Sequence, residues 1–388
     1  MGIRFEKERY QELGEIYEKW WQRKLERPLV KVMVRDAYRP EREKPNVPLP
    51  SQANCHLVQY SAEEVIDRID YELSQCAFLG DAFPMVNFWS FGPGVLAGFC
   101  GAELDNRTGS VWFRTKPQEI SEIQIRYDPE NPWAMRIKEL YRAGWERWQG
   151  QVVLGMPDLG GFQDVIVNFV GSQEMLYALY DEEEELHRLQ GEVYQAWMEA
   201  YEDLSGVLKG KNPGFSDWGG LYSKEPSYIL QDDFAYMISP DMFRKFGYPE
   251  IEKACERLSH TIYHLDGVGN LNHLPLLLEN PRLQAIQWVY GEGQPSAKNW
   301  MEVYDQIFQA GKGIEVIGDL EDFYTLYTKY GARLFYQCTI DGADGMAAKL
   351  MDEKDCIHSY RVFPKEKMSE VERLLEVVQG GKYAGKRI

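Results

Sequence analysis

Between residues 260 and 354 the chain repeats one alternation four times. A short run rich in β-branched and aromatic residues is followed by apolar residues at helical spacing. HTIYHLDG precedes LNHLPLLLEN, LQAIQWVYGEG precedes NWMEVYDQIFQAG, GIEVIGDL precedes DFYTLYTKYG, and ARLFYQCTID precedes GMAAKLMDEK. Four strand–helix units with short connections predict a parallel sheet with helical crossovers. No G-x-G-x-x-G follows the first strand, so the dinucleotide-binding fingerprint is missing. With a further unit upstream, 388 residues suit an α/β chain built as a closed (β/α)8 barrel with N-terminal helical and strand additions. Such barrels take roughly 250 residues.

Upstream, FEKERYQELGEIYEKWWQRKLERP predicts an amphipathic helix ended by Pro28, and LVKVMV a strand. SAEEVIDRIDYELSQCAF predicts a helix opened by the capping pair Ser61 and Glu64. MVNFWS, SVWFRT and QVVLGMPDLGG read as strands, the first two separated by a glycine-rich stretch. FQDVIVNFVGSQEMLYALY and the acidic-headed segment from Glu182 read as helices. DMFRKFGYPEIEKACERLS reads as a helix kinked or entered at Pro249. Residues 1–130 are assigned to an extension and the first barrel elements, 131–361 to the main part of the barrel, and 362–388 to a C-terminal helix and tail. All belong to one structural domain.

Asp plus Glu outnumber Lys plus Arg by 61 to 43, for a formal charge of −18. That excess repels a phosphate backbone, so nucleic acid is not an expected partner. No apolar run is long enough to span a bilayer, and the opening MGIRFEKERYQEL has no apolar core of a secretion signal. The expected location is cytoplasmic, and a homodimer is the favoured assembly. The six cysteines are scattered without a C-x-x-C pair, which fits reduced thiols.

In a parallel barrel the chemistry sits at the C-terminal strand ends. There the sequence places His264 and Asp266, then Glu292, Asp319 and Cys338, with Asp217 and Asp233 from upstream. Alternation puts His264 and Asp266 on one face of their strand. An open zinc site needs about three ligands, and His264, Asp266 and Cys338 offer an imidazole, a carboxylate and a thiolate. The alternative is a hydrogen-bonded His264–Asp266 pair with Cys338 packed in the wall. Of the adjacent Asp232 and Asp233, Asp233 is preferred as the inward one. Asp81 in GDAFPMVNF is a further acid, either catalytic or a turn cap. His260, His273 and His358 read as surface or capping residues.

PDLGGFQDVIVNFVGSQEMLYALYD, QDDFAYMISPDMFRKFGYPEIEKAC and YHLDGVGNLNHLPLLLENPRLQAIQWVYGEGQP together resemble the uroporphyrinogen decarboxylase superfamily over roughly residues 150–350. The resemblance implies a (β/α)8 barrel. The arginine-rich MRQAGR segment of the decarboxylases proper is missing, and RPLVKVMVRDAYRPE stands instead. The cobalamin-dependent methyltransferase branch binds zinc through an HxC pair and a later Cys. His264 matches that histidine, Asp266 stands where the first Cys would be, and Cys338 lies on the strand expected to carry the last. The resemblance therefore implies zinc-assisted methyl transfer between a small methyl donor or acceptor and a corrinoid (cobalamin) carried by a partner protein. Trp218, Trp288, Tyr290 and Tyr336 would shape its apolar, substrate-binding cavity. Two other readings stay open. One is a metal-free decarboxylase-like enzyme using Asp81, Asp233 or Glu292 for acid–base work, and the other is a non-catalytic barrel that holds a tetrapyrrole or small ligand.

Overall fold

A computed structural model describes residues 2–341 and 361–379. In chain order its strands are β1 (Leu29–Val34), β2 (Ala77–Gly80), β3 (Met85–Val86), β4 (Glu103–Asp105), β5 (Trp112–Arg114), β6 (Val153–Leu154), β7 (Ser227–Gln231), β8 (His260–Asp266), β9 (Ala285–Val289), β10 (Gly313–Val316), β11 (Leu334–Asp341) and β12 (Val362–Pro364). The helices are α1 (Arg9–Trp21), α2 (Ala62–Leu73), α3 (Val95–Phe99), α4 (Pro132–Trp148), α5 (Phe162–Val170), α6 (Ser172–Asp181), α7 (Glu183–Leu208), α8 (Pro240–Phe246), α9 (Tyr248–Arg257), α10 (Leu274–Glu279), α11 (Met301–Gln309), α12 (Leu320–Tyr330) and α13 (Met368–Gln379).

All six residues of β1 are buried, as expected of a strand covered on both faces. The main sheet runs β2-β1-β11-β10-β9-β8-β7, with β12 beside β11. Every pairing in it is parallel except that of β1 with β2. The path of named strands is open, with β2 and β7 at its ends. β3 and β6 form a separate parallel pair, and a bridge from Met156 to Asp217 continues beyond β6. The predicted strand QVVLGMPDLGG shrinks to Val153–Leu154: Gly155 still donates to the Val86 carbonyl (2.8 Å) and Met156 bridges to Asp217, but Pro157 has no N–H to extend the ladder.

The repeated strand–helix units fold as expected through β8, α10, β9, α11, β10, α12 and β11. GMAAKLMDEK, together with Cys356 and His358, lies outside the described residues, as does the tail beyond Gln379. Three boundaries differ from the expectation. α1 stops at Trp21, well before Pro28, because Arg23 adopts a left-handed backbone at φ 60°. The docking of both indoles accompanies this stop: Trp20 donates to the Leu334 carbonyl (3.2 Å) and Trp21 to that of Tyr222 (2.9 Å). α2 ends at Leu73, which frees Ala77–Gly80 to pair with β1. α4 has no counterpart in the sequence reading, although Asn131 caps it and Pro132 opens it. No helix among the described residues is long and apolar enough to cross a membrane.

Candidate metal and substrate site

Register carries one face across the sheet. Gln231 pairs with His264, His264 with Gln287, and Gln287 with Glu315. Glu315 in turn pairs with Phe335, so alternation along β11 puts Gln337 on this face. Leu334, Tyr336 and Cys338 point to the opposite, helix-covered side. His264 and Asp266 share the inner face as expected, and Cys338 does not reach them. Its thiol is buried, and burial pushes its pKa up to about 12.

The third group beside His264 and Asp266 is Asp233. One ligand-type atom from each of Asp233, His264 and Asp266 lies within 4.8 Å of the others. Asp233 belongs to the turn after β7, and Asp164 on α5 holds that turn. The carboxylate of Asp164 accepts from the backbone N–H of Asp233 (3.0 Å) and of Phe234 (2.7 Å). Gly161 permits this approach, because a Cβ there would lie 2.5 Å from the Gln231 carbonyl oxygen. At the end of β8, Gly267 takes φ +79° and the Asn270 side chain donates to the Asp266 carbonyl (2.6 Å), fixing where the strand stops.

The imidazole of His264 is held from two sides. Its Nδ1 hydrogen-bonds Oε1 of Gln287, so Nδ1 carries the proton and Nε2 keeps its lone pair. The indole of Trp218 meets the ring edge-on, with centroids 5.1 Å apart. Burial lowers the pKa of His264, against the opposing pull of the Asp266 carboxylate, which favours neutral imidazole. Burial and the facing Asp266 push Asp233 up to about 6, even though the residue keeps contact with solvent. Asp164 and Asp158 rise to about 7, chiefly from burial, with the Asp233 carboxylate adding to the rise of each. A neutral imidazole and two carboxylates are donor types that could hold a divalent cation.

The remaining predicted residues separate by location. Asp81 is buried at the other end of β1, in a two-pronged pair with Arg27 (2.7 Å to each carboxylate oxygen), and it accepts from the Val30 N–H (3.0 Å). It is a structural anchor remote from the strand ends. Glu292 is exposed in the β9–α11 connection and joins no cluster of ligand atoms among the described residues. Trp288 faces the helices and packs edge-on against Trp300, and Tyr336 packs on Phe323 while donating to the Gly318 carbonyl (3.2 Å). Tyr290 is half-buried near the start of α12, whose N-cap is Asp319. Asp217 ties its loop to β7 by accepting from Gly219 (2.8 Å) and Ile229 (2.9 Å). Asp232 is buried and Asp233 is the more exposed of the two, the reverse of a simple inward–outward choice. His260 and His273, expected as surface or capping residues, are both buried, and His273 stands at the N-cap of α10 without a capping bond from its side chain. His260 stacks on Trp21 (4.8 Å), and His273 bonds the Ala235 carbonyl (2.8 Å).

Two features were not anticipated. A cleft of about 290 Å³ opens beside the cluster, lined by Trp112 and Phe113 of β5, by Asp164 and Asp233, and by Phe234 and Met237. Behind the cluster, a buried polar network fills the inner face. Gln337 donates to Glu315 (2.7 Å) and to the Gly219 carbonyl (2.9 Å), and Lys31 donates to the Gly220 carbonyl. Burial pushes Glu315 up to about 8 and Lys31 down to about 7. The available signal was a long polar residue inside otherwise largely apolar strands: Lys31, Gln231, Gln287, Glu315 and Gln337.

The sequence matches no family model and no curated protein. Among solved structures, a methyltransferase from Methanosarcina mazei superposes with a TM-score of 0.47 at 16% identity, over 69% of this chain and 76% of that one. At that level the likeness identifies neither a family nor a reaction.

Proposed function

We propose that this chain is a metal-assisted methyltransferase that works with a corrinoid carried on a separate protein. Its metal would be zinc or a similar divalent ion, held by Asp233, His264 and Asp266. The observation that carries the reading is the meeting of those three groups at the ends of parallel strands, beside a cleft. The sequence resemblance around the same histidine supports methyl transfer as the chemistry. We also read the open sheet as the greater part of a (β/α)8 barrel. Val153 and Gly155 donate to the carbonyls of Pro84 and Val86, and Met156 donates to that of Ser216, which leads toward β7.

When bound, the ion would supply Lewis acidity, lowering the pKa of a thiol or polarising a methyl donor or acceptor. The chain's own part is positional. Gln287 holds the His264 tautomer, Asp164 fixes the Asp233 turn, and Trp218 walls the imidazole from water. Trp112, Phe113 and Phe234 offer an apolar wall for a small substrate. With carboxylates in place of cysteines, the donor set is harder than the thiolate-rich one that the resemblance implies.

The test is elemental analysis of protein purified without chelators, beside Asp233→Ala, His264→Ala and Cys338→Ala. The expected result is about one divalent ion per chain, lost in the first two variants and kept in the third. Methyl loss from methylcobalamin to a small thiol would then be followed by absorbance. A parent protein that holds no metal even after zinc is supplied would remove the mechanism.

A further inference from the structure

A second cavity lies away from the cluster, and it is the larger of the two at about 720 Å³. Its walls include Pro226 and Leu258, which precede β7 and β8, so it opens at the end of the sheet from which those strands set out. His264 and Asp266 sit at the opposite ends. The volume falls in the range of small-molecule sites, roughly 300–1,000 Å³. Apolar side chains, Met156, Met198 and Phe215 among them, make up the larger part of its lining.

Polar groups line it too, Tyr201, Glu202 and Ser205 among them. Asn212 also lines the cavity, but its amide is already spent on the Leu154 N–H and carbonyl and the Gly214 carbonyl. Ser216 is different. It is 3% exposed, lines the cavity, and its hydroxyl has no hydrogen-bond partner. Its oxygen has almost no surface open to the cavity, so Ser216 contributes wall there and not a free hydrogen-bonding group. At the rim stand Lys209, Lys224 and Arg257. Arg257 is neutralised by Glu202 (2.6 Å), whereas Lys209 and Lys224 make no ion pair among the described residues. Two unneutralised cations around an apolar cavity stand out on a chain of net charge −18.

We propose that this cavity binds a small apolar molecule with a carboxylate end. The apolar body fills the space between Met156 and Met198, and Lys209 and Lys224 hold the carboxylate at the rim. The site is independent of the metal cluster and does not rest on the methyl-transfer reading.

Calorimetric titration of the full chain with dodecanoate, and with dodecan-1-ol as its neutral counterpart, tests this. Saturable dodecanoate binding is expected, weakened about tenfold by the charge reversals Lys209→Glu and Lys224→Glu combined, with binding of the alcohol unchanged. Met198→Trp, which fills the cavity, should abolish both, and His264→Ala should alter neither. The reversed lysines are exposed, so that arm does not depend on the tolerance of the core. Absence of saturable binding, or binding indifferent to both the filling and the reversed charges, would overturn the proposal.

Discussion

Nδ1 of His264 and Oε1 of Gln287 are joined by a hydrogen bond across adjacent parallel strands, between residues that stand directly opposite in the β8–β9 register. The bond fixes which nitrogen is free, and on the proposed function that nitrogen binds the metal. Gln287→Leu should therefore weaken metal retention about 10–100-fold, while Gln287→Glu, which keeps an acceptor at this place, should lose less. Competition against a coloured chelator would measure both. Equal retention in parent and Gln287→Leu would mean the bond has no bearing on the metal.

The buried Glu315 gives stability a pH dependence of definite sign. Its pKa rises from 4.5 to about 8, so between those values the folded protein keeps a proton that the unfolded chain has released. Stability should fall as pH rises through that window, by about 1.4 kcal/mol for each unit of difference at most. Lys31, lowered from 10.5 to about 7, acts in the opposite sense and restores stability from pH 7 upward. Urea unfolding at pH 5 and pH 7 should show a smaller loss for Glu315→Gln than for the parent.

Asp81 separates structural from catalytic roles. Replacing it with Ala removes the pair with Arg27 and the acceptor of the Val30 N–H, at a cost of about 2–4 kcal/mol. Metal content per folded chain should not change. A variant of full stability with lost activity would reverse this assignment.

Trp288 was expected at the substrate, and its place in the wall predicts something else. Trp288→Ala should cost about 3–5 kcal/mol through the cavity it leaves against Trp300. Trp288→Phe should cost less, since the buried indole N–H has no hydrogen-bond partner to lose. Thermal unfolding of the two variants would rank them.

The repeated strand–helix units were legible because each strand is a short apolar run between clear breaks, and β8 to β11 follow them closely. His264 and Asp266 were legible for the same reason, since alternation alone places them on one face. Cys338 was misplaced because its face depends on register with β10, and register is a property of pairs of strands. Asp233 was placed at the same mouth as His264 and named for acid–base work, but not as a ligand beside it. Its position depends on Asp164, 69 residues earlier, reaching its backbone. β2 was hidden by a helical pattern that runs on past Leu73, and only the free edge of β1 decides it.

β1 pairs with β11, and Trp20, just before it, donates to the carbonyl of Leu334, 314 residues away. On a ribosome the first strand therefore emerges long before its parallel neighbour exists, with only β2 available to cover one edge. Nascent chains of this protein must carry that apolar edge exposed for most of translation, and they depend on their surroundings to keep it from pairing with other chains.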